Sequence, residues 1–218
     1  IGFSHAAGIY SWSTKKYEFW ILLQTLLYLI KPNSLIEFGS GRSTNYLAEY
    51  ALKSGANLLS FEEHLFYFIK VNLALKLSFL PFGVVKYVPQ RGGWYDRKRL
   101  CHYLDKIKEI DFLFYDGPSK SSSGERGSKD FYRYIVPKLS NVKLVIVDDV
   151  HRSEENAVAE YLVNNFGLKR FNIRPKNDDI LAILLSKKHE EQIKQLPGFL
   201  KKLLEEIPQE NKNTKLSY

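Results

Sequence analysis

The sequence predicts an α/β fold, a doubly wound, mostly parallel seven-stranded sheet with helices on both faces. Three observations predict it. Short apolar runs alternate with longer helix-forming segments along the chain. The first apolar run, Leu35-Ile36, passes into the glycine turn Glu37-Phe-Gly-Ser-Gly-Arg-Ser-Thr44, which opens a helix. The length, 218 residues, suits one α/β unit with a full core.

Each element has its own signal. Residues 1–13 are aromatic and irregular, and 14–30 reads as a helix, with Thr14 as a plausible N-cap and Pro32 beyond its end. Its apolar stretch 19–30 holds 12 residues, including Gln24, where a membrane span needs roughly 20; it reads as a buried helix, and no cleavage site follows Lys15-Lys16. After the strand at Leu35-Ile36, a helix over about 43–53 has Ser43 or Thr44 as N-cap and stops at Ser54-Gly55. A second strand, 57–61, ends at Glu62-Glu63-His64, followed by a helix over 65–77 and the turn Pro81-Phe-Gly83. Strand 84–88, a loop over 89–96 and a helix over 97–107 come next. Strand 111–115 ends in Asp116-Gly117-Pro118, followed by a polar, serine-rich stretch 119–127 and a helix over 129–139. Strand 144–147 ends in Asp148-Asp149, and a helix over 153–166 carries Ser153 as its cap and Glu154-Glu155 in its first turn. A strand pair over 169–174 and 180–185 precedes an amphipathic helix over 190–207 and a disordered tail. We expect one domain over 1–218, with an N-terminal helix at 14–30 and a C-terminal helix and tail at 190–218.

Composition sets outer limits. With 44% hydrophobic residues the chain is of the globular class. The single cysteine, Cys101, rules out an internal disulfide framework; it fits a reducing compartment such as the cytoplasm and reads as a packed thiol. The net charge of +8 admits an anionic partner, whether nucleic acid, phosphorylated substrate, acidic sugar or membrane surface, and selects none of them. The chain holds no methionine, even at position 1, which reads as a start inside a longer product.

In parallel α/β sheets ligands bind at the carboxyl ends of the strands. Gly39 permits the tight turn there and Gly41 close backbone approach. A dinucleotide fingerprint would need a third glycine where Thr44 stands, and Glu37 would repel a pyrophosphate but pair with a cation. S-adenosyl-L-methionine (SAM) has an ammonium, a sulfonium and no phosphate. The pattern Glu-x-Gly-x-Gly-x-Ser/Thr at 37–43 resembles the first motif of the class I SAM-dependent methyltransferases, whose fold is Rossmann-like.

Four of five strand ends are acidic, and uncompensated carboxylates there would cost desolvation. Glu62, 23 residues after Gly39, stands where an acid grips both ribose hydroxyls; Glu63 is the alternative. The cofactor set expected from these readings is Glu37, Gly39, Gly41, Ser43, Glu62, Asp116 and Gly117. Asp116, Asp148 and Asp149 admit two chemistries. One is a hard-cation site for Mg²⁺, Ca²⁺ or Mn²⁺. The other is general base catalysis on an acceptor hydroxyl by Asp116, Asp148 or His151. The arrangement resembles the metal-dependent catechol-type O-methyltransferases, except that Asp149 stands where those have Asn.

A second resemblance covers about 110–163. Asp116-Gly-Pro118, then Gly124-Glu-Arg126, then Val147-Asp-Asp-Val-His-Arg-Ser-Glu-Glu155 with Tyr161-Leu162 is similar to the plant polysaccharide-biosynthesis methyltransferases, which include enzymes that 4-O-methylate glucuronic acid on xylan. Asp149, Val150, Arg152 and Glu155 match that pattern, as Ser60-Phe-Glu-Glu63 matches its second strand end; Asp148 replaces its His. The resemblance implies SAM and a carbohydrate acceptor.

Arg91, Arg97, Lys98 and Arg99 flank one side of the expected site, Lys120, Arg126 and Lys129 the other, with Trp94 and Tyr95 placed to stack on a sugar or base. The reading is a SAM-dependent O-methyltransferase with a small or carbohydrate acceptor, an acidic sugar being suited to those loops. A nucleic acid acceptor fits less well. The alternatives are a non-catalytic nucleoside- or polyanion-binding protein of the same fold, and another nucleoside enzyme such as an aminopropyl transferase or an NAD enzyme.

Overall fold

A computed structural model describes residues 14–118, 128–174 and 180–205. The chain begins with α1 (Thr14–Ile30), β1 (Ser34–Phe38), α2 (Arg42–Ser54), β2 (Asn57–Glu62), α3 (Leu65–Leu77) and β3 (Val85–Tyr87). A small hairpin follows, β4 (Gln90–Arg91) and β5 (Trp94–Tyr95), then α4 (Arg97–Leu104), β6 (Phe112–Tyr115), α5 (Ser128–Tyr134), β7 (Leu144–Val147) and α6 (Ser153–Phe166). The chain closes with β8 (Lys169–Ile173), β9 (Leu181–Leu185), α7 (Glu190–Lys194) and α8 (Gly198–Glu205).

The strands lie in the order β3-β2-β1-β6-β7-β9-β8. The first five are parallel, and β9 runs antiparallel to both neighbours. The chain winds outward from β1 through β2 to β3, then returns to the other side of β1 as β6. The switch point between β1 and β6 leaves a crevice at their carboxyl ends, where such sheets bind ligands.

Side chains alternate across each strand. Leu35, Phe112, Phe114 and Ile146 face one core, closed by α1, α2, α3 and α8 through Leu22, Leu26, Leu47, Leu75 and Leu200. Ile36, Phe38, Leu113 and Val145 face the other, closed by α4, α5 and α6 through Leu100, Phe131, Val158 and Leu162. At the amino-terminal edge Asp111 accepts from the backbone N–H groups of Asn33 (3.0 and 2.9 Å) and Ser34 (2.8 Å) and pairs with Lys143 at 3.0 Å. This carboxylate staples the starts of the two central strands, opposite the crevice.

Several elements differ from expectation. Residues 89–96 are not all loop: Gly92 (φ 63°) and Gly93 (φ 80°) form a two-residue turn of the type that closes hairpins, with Gln90 opposite Tyr95. The helix expected over 97–107 ends at Leu104. The one expected over 129–139 breaks at Tyr134 into a 3-10 turn, Val136–Lys138, because Pro137 lacks the N–H to continue it. The terminal helix is split at Pro197 into α7 and α8. Ser153 is the first helical residue of α6, and the cap position belongs to Arg152. Residues 1–13, 119–127 with Lys120 and Arg126, and the tail lie outside the described residues. No described helix is long and apolar enough to cross a membrane.

Removing the Asp111 carboxylate strands two backbone donors and the Lys143 ammonium. We predict that Asp111→Ala lowers unfolding free energy in urea by about 2–3 kcal/mol, while Asp105→Ala, an exposed control, changes it little.

Candidate functional site

The crevice is floored by backbone packed on backbone. Gly39 has φ 87°, and a Cβ there would lie 2.7 Å from the carbonyl oxygen of Asp116. A Cβ on Gly117 would meet the Gly39 nitrogen at 2.9 Å and the Tyr95 hydroxyl at 2.8 Å. The glycine turn after β1 is therefore seated on the end of β6, and neither position tolerates a side chain. Gly41 differs: it is the N-cap of α2 and a Cβ there meets nothing within 4 Å.

Three carboxylates surround this turn. Glu37 is fully buried inside β1. Its Oε2 accepts from the hydroxyls of Thr44 (2.7 Å) and Ser60 (2.5 Å), while Oε1 has no hydrogen-bond partner. Burial pushes its pKa up to about 7 against the pull of the Ser43, Ser60 and Thr44 hydroxyls, and the Glu62 charge adds to the rise. Glu37, expected near a cofactor ammonium, is held from within the fold by these hydroxyls. The carboxylate lies beneath the first turn of α2 and can act on the crevice only through its field. Ser43 and Thr44 are not caps. They are buried in that first turn, with Thr44 also accepting from the Gly41 N–H at 2.8 Å.

Glu62 is likewise buried, at the end of β2. Its Oε2 accepts from the Ser40 N–H (3.0 Å) and hydroxyl (2.7 Å), and its Oε1 from the His64 N–H (2.8 Å). Desolvation raises its pKa and the neighbouring Glu63 adds to that. Ser40 thus occupies acceptor positions that a ribose diol would need. Glu63 accepts from the Tyr95 hydroxyl at 3.2 Å.

Asp116 stands at the end of β6. Its carboxyl is held well above the usual range, first by desolvation and then by repulsion from Asp148, Asp149 and Glu37, and a hydrogen bond with Asp148 favours its protonated form. The side chain still opens to solvent, so repulsion among the carboxylates is the cause that outlasts hydration. Asp116 and Asp148 lie within hydrogen-bond reach of each other at the ends of β6 and β7.

The third acid is turned elsewhere. Asp149 adopts φ 55° and its Oδ2 pairs with Arg152 at 2.7 Å, while its N–H donates to Asp148 Oδ1 at 2.8 Å. His151 Nδ1 lies 3.9 Å from Asp149 Oδ1. Of the expected metal set Asp116, Asp148 and Asp149, the last is thus paired with Arg152. No group of three His, Cys, Asp or Glu suited to a metal ion occurs among the described residues.

Trp94 and Tyr95 are not a stacking platform. Both are 1% exposed and pack with Phe38, and the Trp94 ring also packs against Tyr115 and Phe131. The Tyr95 hydroxyl lies under the glycine turn, beside Gly117 and donating to Glu63, a position that the sequence did not reveal. Its signal was the Gly92-Gly93 hairpin, which turns Tyr95 inward. Arg91, Arg97, Lys98 and His102 line a groove of about 720 Å³ between α4 and α5, with Tyr95 at its inner end. Arg97 lies over the Tyr134 ring at 5.1 Å, and Arg99 over Tyr87 at 6.0 Å.

Neither family models nor curated proteins yield a match to this sequence. Solved structures do. The O-methyltransferase from Bacillus cereus in complex with SAH superposes with a TM-score of 0.55, at 14% identity over 84% of this chain and 84% of that one. A protein assigned as a caffeoyl-CoA O-methyltransferase from Staphylococcus aureus gives 0.52, at 15% identity over 77% and 83%. The precorrin 8W decarboxylase of Methanobacterium thermoautotrophicum gives 0.50, at 17% identity over 83% and 92%. The chain has the Rossmann-like fold of the class I methyltransferases.

Crowded carboxylates tie stability to pH. Between about pH 4.5 and 7 the folded chain keeps a proton on Glu37 that the unfolded chain has lost. The stability this confers is complete below 4.5 and lost as pH rises through 7; Glu62 and Asp116 act in the same sense. We predict that the ligand-free protein loses stability from about pH 5.5 to about pH 8, roughly 2 kcal/mol of it through Glu37. A denaturation midpoint that rises over that interval contradicts this.

Proposed function

We propose that this chain is a SAM-dependent methyltransferase that methylates an acceptor oxygen. The observation that carries the reading is the crowding of Glu37, Glu62 and Asp116 around a bare glycine turn, with pKa values raised by burial and mutual repulsion. Such a crevice favours a cationic ligand and opposes a pyrophosphate. The SAH complex of one structural neighbour supports the same choice, although a decarboxylase among the neighbours shows that the fold leaves the activity open.

When bound, SAM supplies a methyl group on a sulfonium. The chain's residues do the rest. Gly39 and Gly117 leave the turn low and bare, Ser40 and Glu62 fix its position, and Glu62 or Glu63 receives the ribose hydroxyls. Asp116 and Asp148 face the acceptor. A carboxylate whose pKa is raised toward neutrality is a stronger base, suited to taking a hydroxyl proton. His151, half-exposed beside Asp149, is the second candidate base. The groove between α4 and α5 carries Arg91, Arg97 and Lys98 alongside Asp96, Asp105 and Asp130, so it offers both signs of charge to an acceptor, an acidic carbohydrate among the candidates. The sequence similarity to the polysaccharide-biosynthesis enzymes points the same way.

A titration tests this. SAM binds with a micromolar Kd, about −8 kcal/mol, and NAD does not; Glu62→Ala weakens SAM at least tenfold. Asp116→Asn with Asp148→Asn weakens SAM less than Glu62→Ala does and, at saturating SAM, abolishes methyl transfer in an acceptor screen begun with uronic acid sugars. Binding of NAD without SAM overturns the reading, and full turnover by the double variant removes the acid pair from catalysis.

The two glycines divide stability from binding. Gly39→Ala costs about 2 kcal/mol or more of folding stability, since its Cβ meets backbone at positive φ. Gly41→Ala leaves the melting temperature nearly unchanged and weakens SAM. Equal melting temperatures for the two variants contradict the backbone packing described.

A further inference from the structure

The exposed side of α3 is apolar along its whole length. Phe66, Ile69, Leu73 and Leu77 recur at three- and four-residue spacing, so they share one face, and each is more than half exposed. Val71 and Leu75 alone are buried in this helix. Phe79 and Phe82, 92% and 66% exposed, continue the stripe beyond the helix end. A surface helix ordinarily carries charged and polar residues on that side.

The helix end adds a second observation. The Leu80 N–H donates to the Leu75 carbonyl (2.9 Å) and the Phe79 N–H to Lys76 (3.2 Å), which closes α3 through a left-handed residue, Phe79, at φ 56°. Glycine usually fills that position. Phe79 bears the strain while its ring makes almost no use of the protein interior. The charge is also one-sided. Residues 65–88 include Lys70, Lys76 and Lys86 and no Asp or Glu. Lys70 lies 5.9 Å from the Tyr67 ring and Lys76 6.0 Å from that of Phe82, so the cations stand beside the aromatics.

We propose that this face docks on an anionic lipid surface. Phe66, Leu77, Phe79 and Phe82 enter the boundary between headgroups and acyl chains, and Lys70 and Lys76 meet the lipid charge. Charge favours this occupant over a second copy, because face-to-face pairing would set lysines against lysines with no acid to relieve them. The docking is independent of any methyl transfer.

The test is co-sedimentation of the full chain with vesicles of phosphatidylcholine alone or mixed with phosphatidylserine. The wild type sediments with the anionic vesicles and is released by salt, each lysine contributing about fivefold. Phe79→Gly melts higher than the wild type, because glycine relieves the left-handed strain, yet binds the vesicles about tenfold more weakly. Adding Phe82→Ser weakens binding further. No binding to anionic vesicles overturns the proposal, as does equal binding by the wild type and both variants. A wild type that elutes as a dimer, with the double variant a monomer, assigns the face to self-association and overturns it as well.

Discussion

The tie between Glu62 and Ser40 holds the crevice in shape. The turn after β1 must leave the sheet, pass over the end of β6 and enter α2 within a few residues. Two hydrogen bonds from Ser40 to one carboxylate oxygen anchor that turn to β2, and the bare faces of Gly39 and Gly117 let it lie flat on β6. Glu37 does the corresponding work below, receiving Thr44 from α2 and Ser60 from β2. Two acids thus stitch three neighbouring elements together at the switch point. They do so with charges that the fold would shed if position alone were required.

That retained charge connects architecture to chemistry. A buried carboxylate is costly, and several around one turn raise each other's pKa values. Burying neutral side chains of similar size would make a more stable fold. The arrangement fits a site whose ligand brings the missing positive charge, and a turn without side chains fits a ligand that must approach the backbone. The acid pair at Asp116 and Asp148 belongs to the same field, which is how a proton acceptor comes to be poised beside a cation site. Asp149 stands apart because Arg152 holds it.

Much of this was legible in the sequence. The glycine turn, the alternation of strands and helices and the acidic strand ends depend on local chemistry: glycine at positive φ, apolar runs of strand length, carboxylates where a parallel sheet binds ligands. What was not legible depended on distance in sequence. Nothing local says that Ser60 and Thr44 converge on Glu37. Trp94 and Tyr95 read as a loop pair open to ligand because a two-residue hairpin is a weak signal, yet Gly92-Gly93 carried it. Helix ends at Tyr134 and Lys194 were overrun because Pro137 and Pro197 were given too little weight as breakers. The exposure of the apolar face of α3 was not legible either, because hydrophobicity alone does not say which side of a helix has neighbours.

The central claim is that the crevice carboxylates await a cation. Calorimetry near neutral pH, run in two buffers of different ionisation enthalpy, reads it directly. Binding of SAM should expel protons, since its charge lowers the pKa values of Glu37 and Asp116. SAH, whose sulfur is neutral, should expel fewer. Heats of SAM binding that are the same in both buffers would contradict the account.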